Sequence, residues 1–149
     1  MRTKITVVLL FATILSLWAS TGTSAQGSAD PWTPQQLLNP AALAKVLNNP
    51  KAPQPYLFCV GPQAVIKGSI DIGPTRTPAN LAQLKLRLTK LPKTAQIVVY
   101  CGCCPFDRCP NVRPAMALLK QMHFNNYKLL NLPQNVKVDW IDHGYPMIE

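Results

Sequence analysis

The chain has 149 residues, with fifteen Lys/Arg against six Asp/Glu, a formal charge of +9 and 48% hydrophobic side chains, which suffices for one domain with its own core. Glu149 is the only glutamate, and His123 and His143 are the only histidines, so paired-carboxylate catalysis and a close Cys–His pair have few candidates. The cations are scattered, at Lys45, Lys67, Lys85, Lys90, Lys120 and elsewhere, without interleaved aromatics; this argues against a nucleic-acid partner and leaves a basic surface that favours small anions.

The first segment opens with Arg2 and Lys4, continues as a nearly unbroken apolar stretch from Ile5 to Trp18, and closes on the small residues Thr23-Ser24-Ala25. That is the three-part layout of a secretory signal. The apolar stretch falls short of the ~20 residues a bilayer span needs. Residues 1–25 are therefore expected to be a cleaved signal on an exported, periplasmic or secreted protein, with no stable membrane span after cleavage. Residues 26–32 read as a short linker and 33–149 as the folded domain.

Three helix starts repeat one device, a capping side chain followed by proline: Thr33-Pro34, Asn39-Pro40 and Thr77-Pro78. They predict a short turn over Pro34–Leu38 and a helix over Pro40–Leu47, which Asn48-Asn49-Pro50 ends. Tyr56–Val60 is a compact apolar run closed by Gly61, consistent with a buried strand, and Ser69–Ile72 is a weaker strand. Leu81, Leu84, Leu88 and Leu91 recur at helical spacing, with Lys85, Arg87 and Lys90 on the wet side. Gln96–Tyr100 is the best strand and runs into Cys101. A helix is expected over Val112–Met122, a strand over Tyr127–Leu132, and a short helix after Val138 that Gly144 stops. His123 and His143 read as surface residues near helix ends, and Trp32, Trp140 and Tyr145 as packing anchors. Alternating strands and helices predict an α/β fold with a central, mostly parallel sheet flanked by helices. Ligands of such sheets bind beyond the carboxyl ends of the strands, where Cys101 lies.

The chemistry concentrates in Cys101-Gly-Cys-Cys-Pro-Phe-Asp-Arg-Cys109. Cysteines of exported proteins usually form disulfides, yet five is odd, so at least one thiol is free, modified or metal-bound. Asn111 is a candidate N-cap for the following helix, whose free amides and dipole would face the loop. Arg108 and Arg113 add fixed positive charge, and both effects favour thiolate over thiol. This arrangement suits a nucleophilic cysteine acting on an anionic sulfur or phosphorus compound. A phosphatase loop is excluded, because no cysteine has an arginine six positions later. Cys59 reads as a buried core cysteine.

From Tyr56 to Pro146 the chain resembles a rhodanese-like domain. The residues that carry the resemblance are Ile97-Val-Val-Tyr-Cys101, the basic loop, Leu118-Leu119-Lys120, Met122-His-Phe124, Asn126-Tyr-Lys-Leu-Leu130, and Trp140 with Gly144-Tyr-Pro146. Val65-Ile-Lys-Gly-Ser-Ile70 is similar to the family's His-Ile-Pro-Gly-Ala-Ile segment. The loop Cys-Gly-Cys-Cys-Pro, with Cys-Pro-Asn-Val-Arg-Pro and Gly73-Pro74, resembles an exported subgroup. The resemblance implies a three-layer rhodanese-like fold and a sulfurtransferase or persulfide carrier. It implies a small anionic sulfur compound such as thiosulfate as donor, a thiol or other nucleophile as acceptor, and no cofactor. By resemblance Cys101 is the nucleophile and Arg108 and Arg113 are the anion contacts. The family's arginine stands five positions after its cysteine, whereas Arg108 is seven after Cys101 and five after Cys103. Cys103 is therefore a competitor for the role.

Two other chemistries fit the same loop. Cys101-Gly-Cys-Cys104 is a C-x-x-C ahead of a helix, which suits a thiol–disulfide protein, with Cys104 or Cys109 as the redox or resolving thiol. Cys101, Cys103, Cys104 and Cys109 together offer four sulfurs to zinc or copper(I) on a non-enzymatic module. A purely structural reading pairs Cys101 or Cys104 with Cys109 in a disulfide.

Overall fold

The computed structural model describes residues 32–149. The expected signal, and the linker up to residue 31, lie outside the described residues. The chain forms β1 (Leu37–Leu38), α1 (Pro40–Leu47), β2 (Tyr56–Cys59), β3 (Ser69–Asp71), α2 (Pro78–Leu88), β4 (Ile97–Tyr100), α3 (Val112–Gln121) and β5 (Tyr127–Leu130), and closes with a π-helical turn over Lys137–Ile141. All five strands are parallel, in the order β1-β5-β4-β2-β3. Among the described residues no helix is long and apolar enough to cross a membrane.

The central strand explains the layering. Ile97, Val98, Val99 and Tyr100 are all buried, as a parallel strand covered on both faces requires. Side chains alternate between faces along a strand. Ile97, Val99 and Cys101 join Phe58, Val60 and Leu129 beneath Leu84 and Leu88 of α2 and Val112, Ala115, Met116 and Leu119 of α3. Val98 and Tyr100 join Leu57, Cys59 and Leu130 beneath Leu43 and Ala44 of α1 and Trp140 of the closing turn. Each fully buried Leu, Ile or Val stabilises the fold by about 1.5–3 kcal/mol relative to exposure. That burial docks α2, whose outer face carries Lys85 and Arg87 together with the exposed Leu86.

Asn39 caps α1 as expected: its Oδ1 accepts from the amides of Ala41 (2.8 Å) and Ala42 (3.3 Å). Thr33 and Thr77 do not cap through their side chains. The Thr33 hydroxyl turns to Gln36 Oε1 at 3.3 Å. At α2 a backbone turn, Thr77 N–H to Pro74 O at 3.0 Å, and Asn80 Nδ2 to the same carbonyl at 3.1 Å set the entry. Proline at the first helical position already fixes φ and removes one orphan donor, which lessens the need for the hydroxyl.

The expected turn over Pro34–Leu38 divides in two. Pro34–Gln36 is a 3-10 turn, whereas Leu37–Leu38 is the edge strand β1, paired with Leu129 and Leu130. A two-residue strand has no periodicity to read. The last strand ends at Leu130, although Leu132 remains fully buried. Trp140 is a packing anchor: it is fully buried, its Nε1 donates to Pro146 O at 3.0 Å, and its ring meets Tyr145 edge-on at 5.1 Å. His123 and His143 are exposed, and His143 stacks on Tyr145 at 5.2 Å.

Candidate functional site

The strand order creates a crevice at one place. From β2 the chain moves outward to β3, and from β4 it moves the opposite way, through α3 to β5. The loops leaving the carboxyl ends of β2 and β4 therefore diverge, which is where open α/β sheets bind ligands. The ladder continues one residue past the strands, with Val60 N–H donating to Tyr100 O at 2.9 Å. Gly61 and Cys101 then meet. A β-carbon on Gly61 would lie 2.8 Å from Cys101 Sγ and 3.2 Å from Gly102 N. Gly102 is held from the other side: Val136 N–H donates to its carbonyl at 3.0 Å, and a β-carbon there would lie 2.7 Å from Val136 Cγ1.

The cysteine loop is tied down along its length. Phe106 N–H donates to Leu132 O at 3.1 Å, Arg108 N–H to Pro105 O at 3.1 Å, and Arg113 Nη2 to Asp107 O at 2.6 Å. Cys101 and Cys109 are buried, Cys104 is half-buried and Cys103 is exposed. Cys101 and Cys103 sulfurs are 3.3 Å apart, and Cys103 and Cys104 sulfurs 3.4 Å. All four sulfurs lie within 4.8 Å of one another. The five cysteines are free thiols in this structure.

Hydrogen bonding separates these thiols electrostatically. Cys101 is lowered from the ordinary thiol value to about 5. The largest cause is the Cys109 thiol donating to its sulfur; burial opposes this, and the Cys103 amide, the Asn111 side chain and the Cys103 thiol assist. Cys109 is raised, chiefly because its proton is the one bonded to Cys101. Cys103, although exposed as a residue, is pushed up to about 12 by partial desolvation of its sulfur and then by its bonds to Cys101 and Cys104. These shifts favour the thiolate form at Cys101, at the end of the central strand, over Cys103 and Cys109.

Asn111 differs from expectation. Its side chain caps nothing, because its own backbone is already helical (φ −86°, ψ −36°). The side chain instead turns inward, with Nδ2 donating to Cys101 Sγ at 3.6 Å and Oδ1 accepting from Arg76 N–H at 3.3 Å. The Thr75 hydroxyl donates to the Asn111 carbonyl. The loop after β3 thereby braces the residue that touches the thiolate. The amides of Asn111 and Val112, at the start of α3, point to the Cys109 sulfur rather than to Cys101.

The two arginines are not joined to a sulfur. Arg108 is 85% exposed and lies 3.8 Å from Asp107. Arg113 braces the loop through the Asp107 carbonyl and lies 6.0 Å from the centre of the Trp32 ring. It lines a hollow of about 340 Å³ with Trp32, Gln36 and Lys120, to which no cysteine contributes. A smaller cleft of about 180 Å³ does adjoin the thiols, lined by Pro62, Gln63, Val65, Gly102, Cys103 and Val136, with no charged group among them. Cys59 belongs to the opposite face of the sheet: it is fully buried, donates to Gln63 O at 3.3 Å, and is pushed up to about 11 by burial.

Sequence reading identified the four loop cysteines but not Gly61, Thr75 or the thiol-facing role of Asn111. Gly61 carries a signal, a glycine directly after an apolar strand; Thr75 depends on a contact with Asn111 across 36 residues of sequence, and Asn111 on one with Cys101 across ten. Comparison with family models, with curated proteins and with solved structures found no match.

Proposed function

We propose that the chain is an exported rhodanese-like sulfurtransferase or persulfide carrier with Cys101 as its nucleophile. The observation that carries this reading is the setting of the Cys101 sulfur. It sits at the carboxyl end of the central parallel strand, at the switch point of the sheet, and it accepts from Asn111 at 3.6 Å and lies 3.3 Å from the Cys103 thiol. A thiolate is the species that attacks sulfur, and such donors favour it.

In the first step the Cys101 thiolate attacks the outer sulfur of thiosulfate or a similar sulfane donor. The donor's sulfur–sulfur bond breaks, sulfite leaves with the electron pair, and Cys101 becomes a persulfide anion. An incoming thiolate then takes the outer sulfur, and Cys101 departs as thiolate. Arg108, extended into solvent, contributes to the positive field that draws the anion, while Arg113 holds the loop.

The test is direct. Reduced, metal-free protein is incubated with thiosulfate, and intact mass and released sulfite are measured. The reading expects one added sulfur atom, removed by reductant, retained in Cys103→Ser and lost in Cys101→Ser. A loss of two hydrogens without added sulfur would replace it with thiol–disulfide chemistry.

A further inference from the structure

The loop assembles more sulfur than sulfur transfer needs, and we propose that Cys101, Cys103, Cys104 and Cys109 form a four-thiolate site for one zinc(II) ion. A tetrahedral zinc site has Zn–S near ~2.3 Å, hence sulfur–sulfur separations of about 3.8 Å. Here the four sulfurs lie within 4.8 Å of one another, with two of the pairs at 3.3 and 3.4 Å. Closing them around an ion requires shifts of about 1 Å or less per sulfur.

The donor set selects the metal class. No carboxylate or imidazole belongs to the cluster, which excludes calcium and magnesium and favours a soft or borderline ion. Four ligands from protein leave no open position, the arrangement of structural rather than catalytic zinc. The scaffold is already in place. Cys101 is fixed at the end of β4, and Cys109 sits beside the start of α3. The intervening loop is pinned by Val136 N–H on Gly102 O and Phe106 N–H on Leu132 O. Asn111 Nδ2, 3.6 Å from Cys101 Sγ, is the outer-shell donor that such a thiolate retains. Zinc with four thiolates carries a net −2 charge, on a chain whose formal charge is +9.

Binding changes no oxidation state: each cysteine that enters as a thiol releases its proton to solvent as the Zn–S bond forms. The site does not depend on the sulfur-transfer reading, but the two compete for Cys101. A zinc-loaded chain is expected not to take sulfur from thiosulfate, and a chelator is expected to restore that capacity.

The experiment titrates the reduced, metal-free protein anaerobically with zinc(II), and in parallel with cobalt(II) as the spectroscopic stand-in. One zinc per chain should survive desalting. The cobalt form should show tetrahedral d–d bands and a sulfur-to-metal charge-transfer intensity corresponding to four thiolates. Cys104→Ser and Cys109→Ser, with folding checked by circular dichroism, should each lower zinc affinity at least tenfold and reduce that intensity by about a quarter, in proportion to one lost thiolate. An octahedral cobalt spectrum, fewer than four thiolates in the wild type, or zinc retention unchanged in both variants would overturn the site. Sulfur loading is read separately, on metal-free wild-type chain, so either reading fails without the other.

Discussion

Gly61 and Cys101 face each other across the switch point so closely that a β-carbon on Gly61 would lie 2.8 Å from the Cys101 sulfur. Gly61 is not in the left-handed region, so the need for glycine here is steric. Two diverging loops close on one another because one of them lacks a side chain. Gly61→Ala must displace either the sulfur or the backbone of Gly102, whose nitrogen would lie 3.2 Å away. Overpacking of this kind costs about 1–3 kcal/mol. Urea denaturation should show that loss, and thiosulfate-dependent sulfite release should slow with it.

The donors around Cys101 make its charge state testable. Thiolate is the deprotonated form, so a thiol held at about 5 stays ionised at neutral pH and protonates only as pH falls through that value. An unperturbed thiol would already be largely protonated below ~8.5. The ultraviolet thiolate absorbance of reduced, metal-free protein, less that of Cys101→Ser, should therefore persist at pH 7 and vanish toward pH 4. Asn111→Ala removes one donor and should move the midpoint upward. It also leaves Arg76 N–H without its 3.3 Å acceptor, at about 1–3 kcal/mol if that amide stays unsatisfied. A midpoint unchanged in Asn111→Ala would show that the 3.6 Å contact contributes nothing to the thiolate.

Much of this arrangement is legible in the sequence. The apolar run Ile97–Tyr100 announces the central strand, because burial on both faces makes a strand continuously apolar, and Leu84 and Leu88 announce the buried stripe of α2, because burial of one helix face imposes a period of 3.6. The four loop cysteines were visible by their density alone. Asn111 reads as a cap because its position before α3 fits one equally well, and only the fold brings Cys101 within reach of its amide. Leu37–Leu38 reads as part of a helical turn because its edge pairing with β5 spans more than ninety residues, beyond any local pattern.

The two arginines should separate in stability. Arg113 Nη2 donates to the Asp107 carbonyl at 2.6 Å, a charge-assisted bond that anchors the loop, whereas Arg108 is 85% exposed. Arg113 is itself solvent-exposed, so Arg113→Ala is expected to cost about 1 kcal/mol, the net value of a bond that competes with water. Arg108→Ala should fall within about 0.5 kcal/mol of wild type. Sulfite release at low salt should nevertheless fall in Arg108→Ala, with the difference shrinking as salt screens the field. Equal destabilisation by both variants in thermal unfolding would contradict the bracing role of Arg113.

Tyr100 links the core to the crevice, and its hydroxyl is the part that does so. The ring is fully buried under α1 and Trp140, while the hydroxyl accepts from the amides of Val65 (3.1 Å) and Ile66 (3.3 Å) and bonds Ser69 Oγ at 2.9 Å. Those two amides belong to the segment between β2 and β3, which also lines the cleft beside Cys103 through Val65. The same segment receives the C-terminal tail, with Lys67 N–H on Pro146 O at 3.1 Å and Ile148 N–H on Val65 O at 3.0 Å. Tyr100→Phe keeps the ring and removes only the acceptor, so the loss is polar rather than a cavity. Each amide left buried without a partner costs about 1–3 kcal/mol. The expected total is about 2–4 kcal/mol, below the simple sum because the segment relaxes toward solvent. Hydrogen exchange should locate the effect: faster exchange at Val65, Ile66 and Ile148, and unchanged protection at Val99 in the centre of the sheet. Exchange that accelerates uniformly would instead mean that the hydroxyl supports the whole domain and not this wall of the cleft.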